Sequence, residues 1–138
     1  MRLLRSLAVV LAAACTAGCF GSDSKTYSAT ELAESLFDHG FIMSQPLLPT
    51  QAGQEEGIPR VLPSGVRNVV FARKWVAHST PAGYVPEVVL VALVFDRRDE
   101  VSCADWNSIG TCLRKWNVAV AVRTSREEAA REALDDLD

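Results

Sequence analysis

The side chains of this sequence that could do covalent or acid–base chemistry are few and widely spread. His39 and His78 are its two imidazoles, and Cys15, Cys19, Cys103 and Cys112 its four thiols. Nucleophilic catalysis needs a hydroxyl or thiol beside an imidazole that a carboxylate orients. His39 falls at the end of a helical pattern, and His78 at the end of a strand pattern before the turn residues Thr80, Pro81, Ala82 and Gly83. Both therefore read as capping or surface residues. No G-x-S-x-G elbow, phosphate loop or dinucleotide glycine pattern occurs, and no catalytic residue is assigned. Eight residues separate Cys103 from Cys112, unlike the C-x-x-C spacing of zinc sites, and neither histidine is near them in sequence. No metal site and no cofactor is expected.

Recognition has better candidates. Asp96, Arg97, Arg98, Asp99 and Glu100 form a mixed charge run where a strand ends. Its simplest form is a solvated, self-paired shoulder, although Arg97 and Arg98 could meet an anion or a partner. Trp106 lies between the two distal cysteines, where an aromatic is hard to bury. A rigid aromatic on a short loop suits binding, because it offers contact area at little entropic cost. The alternative is that Trp106 folds down as the loop's own small core.

At the amino terminus Arg2 and Arg5 precede the apolar run Leu7 to Ala14, which leads into Thr16, Ala17, Gly18 and Cys19. This stretch resembles the signal peptide and lipobox of bacterial lipoproteins, a resemblance confined to the first nineteen residues. It implies a leader over 1–18, a lipidated Cys19 with a short tether over 19–27, and a single domain over 28–138. It also implies a membrane partner through the acyl chains, palmitate among them, at the extracytoplasmic face of the cell membrane. Cys15 is a poorer lipidation site, because its use would leave Ala17 and Gly18 without a role. The other readings are an ordinary cleaved signal or an uncleaved helix. The latter is disfavoured, since the uncharged stretch Ser6 to Ser22 reaches bilayer length only by including Gly18, Gly21 and Ser22.

Loss of Arg2 and Arg5 with the leader takes the 14 basic side chains to 12, against 17 acidic ones. An acidic chain is a poor match for nucleic acid, which requires clustered Lys and Arg, and it would not adhere to anionic lipid by charge alone. About 120 residues suit one domain with one core. If Cys15 leaves with the leader and Cys19 takes lipid, Cys103 and Cys112 remain as a pair in an oxidising compartment. They are then expected to form a disulfide that constrains the unfolded chain by roughly 2.7 kcal/mol.

The elements that must hold these residues follow from periodicity. Ser28 and Glu31 form a capping box, with Tyr27 set to staple onto Leu32. Leu32, Ala33, Leu36 and Phe37 make an apolar face, and Gly40 stops the helix. Phe41 to Leu48 reads as a short strand that Pro46 and Pro49 confine to an edge or an irregular path. Thr50 to Gly65, rich in Gly, Pro, Gln and Glu, reads as a long solvated loop. Three strands are expected: Val69 to His78, then Val88 to Phe95 buried on both faces, then Trp116 to Val122 with one core face and one more open face. The cysteine loop should sit at the tip of the hairpin joining the last two. Ser125 and Glu128 form a second possible capping box, before a helix whose final Asp135, Asp136 and Asp138 oppose its dipole.

The expected fold is α+β, an antiparallel sheet of three to four strands packed with an N-terminal and a C-terminal helix. That order is loosely similar to small bacterial cell-envelope lipoproteins. The resulting expectation is a lipid-anchored, non-enzymatic binding module with an unknown protein or envelope ligand as partner. The alternative is a small secreted hydrolase or enzyme inhibitor using the long loop or the cysteine loop as its active edge.

Overall fold

The computed structural model describes residues 25–77, 84–103 and 109–137; Cys19, His78 and Trp106 lie outside them. The domain starts as its caps dictate. Helix α1, Ala29–Asp38, carries the full capping box: the Ser28 hydroxyl accepts from Glu31 N at 3.2 Å, and the Glu31 carboxylate accepts from Ser28 N at 2.9 Å. Gly40 ends it at φ +91°, a left-handed backbone that glycine adopts without Cβ strain, and Phe41 N returns to Leu36 O at 3.1 Å.

A four-stranded antiparallel sheet follows, formed by β1 (Val66–Ala77), β2 (Tyr84–Phe95), β3 (Thr111–Lys115) and β4 (Val118–Val122), in the spatial order β1-β2-β4-β3. A four-residue helix α2 (Pro49–Ala52) precedes the sheet and α3 (Glu127–Asp135) closes the chain. This is the expected α+β architecture. As the unbroken apolar run required, β2 is central, and Leu90 to Phe95 are all buried.

Two layers cover the sheet. On one face α1 and α3 bring Leu32, Leu36, Ala130, Ala133 and Leu134 onto Val70, Leu90, Ala92, Val94, Val118, Val120 and Val122. The other face is covered without long helices: Ala52, Ile58, Cys103 and Ile109 close over Val69, Phe71, Val91, Leu93, Ala119 and Ala121.

Several expectations change in consequence. All five residues of β4 are buried, so it has no open face; its small Ala119 and Ala121 lie under the second cover. Residues 50–65 are only in part the solvated loop expected: Ala52 of α2 and Ile58 pack down on the sheet, while Gln54, Glu56, Arg60, Val61 and Ser64 stay exposed. The cysteine loop is not a hairpin tip either. The chain leaves β2, passes a 3-10 turn at Arg98–Glu100, crosses to the edge strand β3, and only then turns into β4. Trp116 lies in that last turn rather than in a strand. Phe41 to Leu48 takes the irregular path its prolines favour, joining the outer edge of β1 only at Met43↔Ala72 and Leu47↔Val69.

The two helix C-termini are satisfied by cations from elsewhere in the chain, because neither helix has a basic residue in its last turn. Lys115 Nζ donates to Leu134 O at 2.6 Å and Leu137 O at 2.7 Å, which offsets the terminal aspartates of α3. Arg126 stacks 4.5 Å over the Phe41 ring and donates to Gly40 O at 3.2 Å just past α1. The expected Ser125/Glu128 box does not form. A 3-10 turn over Thr124–Arg126 places Arg126 at the N-cap, with no side-chain cap. Glu127 and Arg131 do pair, at 3.0 Å.

Candidate functional site

The cysteine loop is tied down at both ends. Cys103 and Cys112 form a disulfide with their Cα atoms 6.0 Å apart. Cys103 is buried in the second face beside Ile109, and Cys112 stands in β3 opposite Ala121. The bond therefore fastens the cover of that face to the edge strand. Of the two arginines read as a polar shoulder, Arg97 is exposed and pairs with Asp99 at 2.8 Å, the self-pairing expected of this run. Arg98 places its guanidinium 4.5 Å over the Trp116 ring.

Trp116 has φ +52°, and it is the one non-glycine residue with positive φ among the described residues. A bulky side chain there carries backbone strain that glycine or asparagine would avoid. Its neighbour Asn117 is the one buried polar or charged residue of the described set. Asn117 Oδ1 accepts from Tyr27 N at 2.7 Å, and its Nδ2 donates to Tyr27 O at 3.0 Å and Phe95 O at 3.1 Å. The side-chain amide thus acts as one more rung of backbone, gripping the chain where it enters the domain. Nothing in the local sequence signals this, since Tyr27 and Asn117 are 90 residues apart.

His39 has both ring nitrogens engaged by acceptors. Nδ1 lies 2.8 Å from Ser35 O and Nε2 2.8 Å from the Asp136 carboxylate. The Ser35 carbonyl above all, and then Asp136 with a smaller push from Glu132, raises its pKa above the ordinary 6.5 against the opposing effect of partial burial. A protonated imidazole donating from both nitrogens is a clasp between the ends of α1 and α3.

One cavity was not anticipated. About 400 Å³ in volume, it lies at the edge of the second face, among the loop after α2, the bulged interior of β1 and β2, and the residues flanking β3 and β4. Arg73 reaches in from β1 and pairs with Glu55 at 3.1 Å; Arg123, just past β4, pairs with Glu87 at 2.9 Å. Each guanidinium also has a backbone acceptor, Glu56 O for Arg73 at 3.0 Å and Val88 O for Arg123 at 3.4 Å. Val88 and Ile109 supply apolar lining. Local backbone devices create the space. The β1–β2 register shifts between Ala72 and Arg73, whose partners are Leu90 and Val88, leaving Val89 as the extra residue of a bulge. Gly57, at φ +85°, lies so close to Val88 that a Cβ would meet its Cγ2 at 2.9 Å. The only signal in the sequence was a pair of arginines interrupting or ending apolar strands.

No family model, no curated protein and no solved structure matches this chain.

Proposed function

We propose that this chain is a lipid-anchored protein of the bacterial cell envelope, a non-enzymatic binding module held through Cys19 at the extracytoplasmic face of the membrane. The observation that carries the reading is the leader itself, Arg2 and Arg5, an apolar run, and Ala17-Gly18-Cys19. The Cys103–Cys112 disulfide supports it, because such bonds persist in oxidising compartments. The domain begins at Tyr27, so the tether spans at most roughly 30 Å even if fully extended. The partner is an envelope protein or ligand that meets the cysteine loop, with Trp106 as anchor and Arg97 and Arg98 as polar contacts.

Metabolic labelling with a fatty-acid analogue tests the anchor. Two acyl chains hold a protein stably where one does not, so Cys19→Ser should abolish labelling and release the domain or leave it unprocessed. Undiminished labelling would refute the assignment and point to Cys15. Trp106→Ala should lose captured envelope partners with its melting temperature unchanged. Loss only in proportion to unfolding would make Trp106 structural.

A further inference from the structure

We infer that the cavity between Arg73 and Arg123 is a binding site for a small zwitterion of about dipeptide size, bearing both a free carboxylate and a free ammonium group. The site is separate from the lipid anchor and does not depend on it.

Charge balance selects the ligand class. Among the described residues, the lining holds two guanidiniums and three carboxylates, those of Glu55, Glu56 and Glu87. A polyanion such as a nucleotide would face surplus negative charge, and a polyamine would face both arginines. A wholly apolar molecule would have to strip water from five charged groups for contact with little more than Val88 and Ile109. A molecule carrying one charge of each sign meets neither objection. Its carboxylate can take the guanidinium forks in the bidentate manner that arginine favours. Its ammonium can sit on Glu56, whose side chain has no ion pair among the described residues, or on a glutamate released by the exchange.

The arrangement makes that exchange inexpensive. The Arg73–Glu55 and Arg123–Glu87 pairs are partly exposed, with 38% and 47% of the glutamate side chains accessible, so little stability is lost when one carboxylate replaces another. The guanidiniums stay in place meanwhile, because Glu56 O and Val88 O hold them independently of the glutamates, and the Phe71 ring lies 4.5 Å beneath Arg73. The volume of about 400 Å³ falls at the small end of ligand pockets, roughly 300–1,000 Å³, which sets the size limit.

The test is titration of the full-length, disulfide-bonded protein in detergent, followed by amide NMR, with alanyl-alanine as probe. Free alanyl-alanine should give saturable shifts at Gly57, Val88, Ile109 and Arg123. N-acetylation or C-terminal amidation of the probe should each weaken binding by about tenfold or more, the effect of losing one charge-assisted contact. Arg123→Gln should weaken the free dipeptide by a similar factor. Glu56→Gln, which breaks no ion pair, should weaken the free dipeptide but leave the N-acetylated probe unchanged, and this keeps the test valid if the arginine variant folds poorly. Absence of saturable shifts up to roughly 10 mM, or equal binding of the doubly blocked peptide, would overturn the assignment.

Discussion

The two faces of the sheet are buried equally well but by different means. The first is closed by α1 and α3, whose apolar stripes are regular and whose ends are held by Arg126, Lys115 and His39. The second is closed by chain with little periodic structure, held by a disulfide, the Arg73–Glu55 pair and the close approach of Gly57 to Val88. Helical cover yields a continuous core. Clefts open at the border of both covers, but among the described residues the one beside the irregular cover brings Arg73 and Arg123 in among its glutamates, whereas the one between α1 and α3 is lined by acidic residues and His39. Regions of irregular cover also tend to open locally at lower free energy than the core.

The contrast can be broken most directly in the core. Leu36→Ala, at a fully buried position under the helices, should cost about 4 kcal/mol, whereas Ile58→Ala under the loop cover should cost about 2, because irregular chain relaxes more readily into the vacated space. Urea denaturation of both variants decides it, and equal losses would remove the distinction. Next in size is the disulfide. Cys103→Ser should lower stability by roughly 2.7 kcal/mol, and hydrogen exchange should rise around Ile58 and Ile109 while α1 stays protected. Exchange rising uniformly would show the faces to be one cooperative unit.

The smaller tests concern the helix side and the surface. The pKa of His39 is raised in the folded state, so its stabilising contribution is fully present below the unfolded value near 6.5 and is lost as pH rises through the higher folded value. Melting curves of wild type and His39→Gln should therefore differ most at mildly acidic pH and converge as pH rises; a gap that widened instead would contradict the clasp. Arg97→Ala should change stability by less than about 0.5 kcal/mol, since its pair with Asp99 is exposed. A larger loss in thermal melting would give that turn a structural role.

What the sequence revealed divides along the same line. The capping box at Ser28, the stop at Gly40 and the central β2 were legible because each is a local pattern that its neighbours complete. Strand β3 was hidden because Thr-Cys-Leu-Arg-Lys is short and mixed, and its partner lies just past a turn built on a strained tryptophan. The second cover was hidden because Ala52 and Ile58 repeat with no period. The cavity was illegible for a further reason: Arg73 and Arg123 acquire their meaning from glutamates 18 and 36 residues away. The second capping box was a false signal, overridden when the chain turned from β4 directly into a 3-10 turn.

The grip of Asn117 on Tyr27 also has a mechanical meaning. Any pull on the residues before Tyr27 reaches both main-chain groups of Tyr27 before it reaches α1, and those groups are held by a side chain in the turn that leads into β4. Load is thus passed through Asn117 to the β3–β4 turn and to the Phe95 carbonyl of β2 before the first turn of α1 bears it. Replacing Asn117 with alanine would reroute that load through the capping box of α1, turning a fixed mooring into a fraying end.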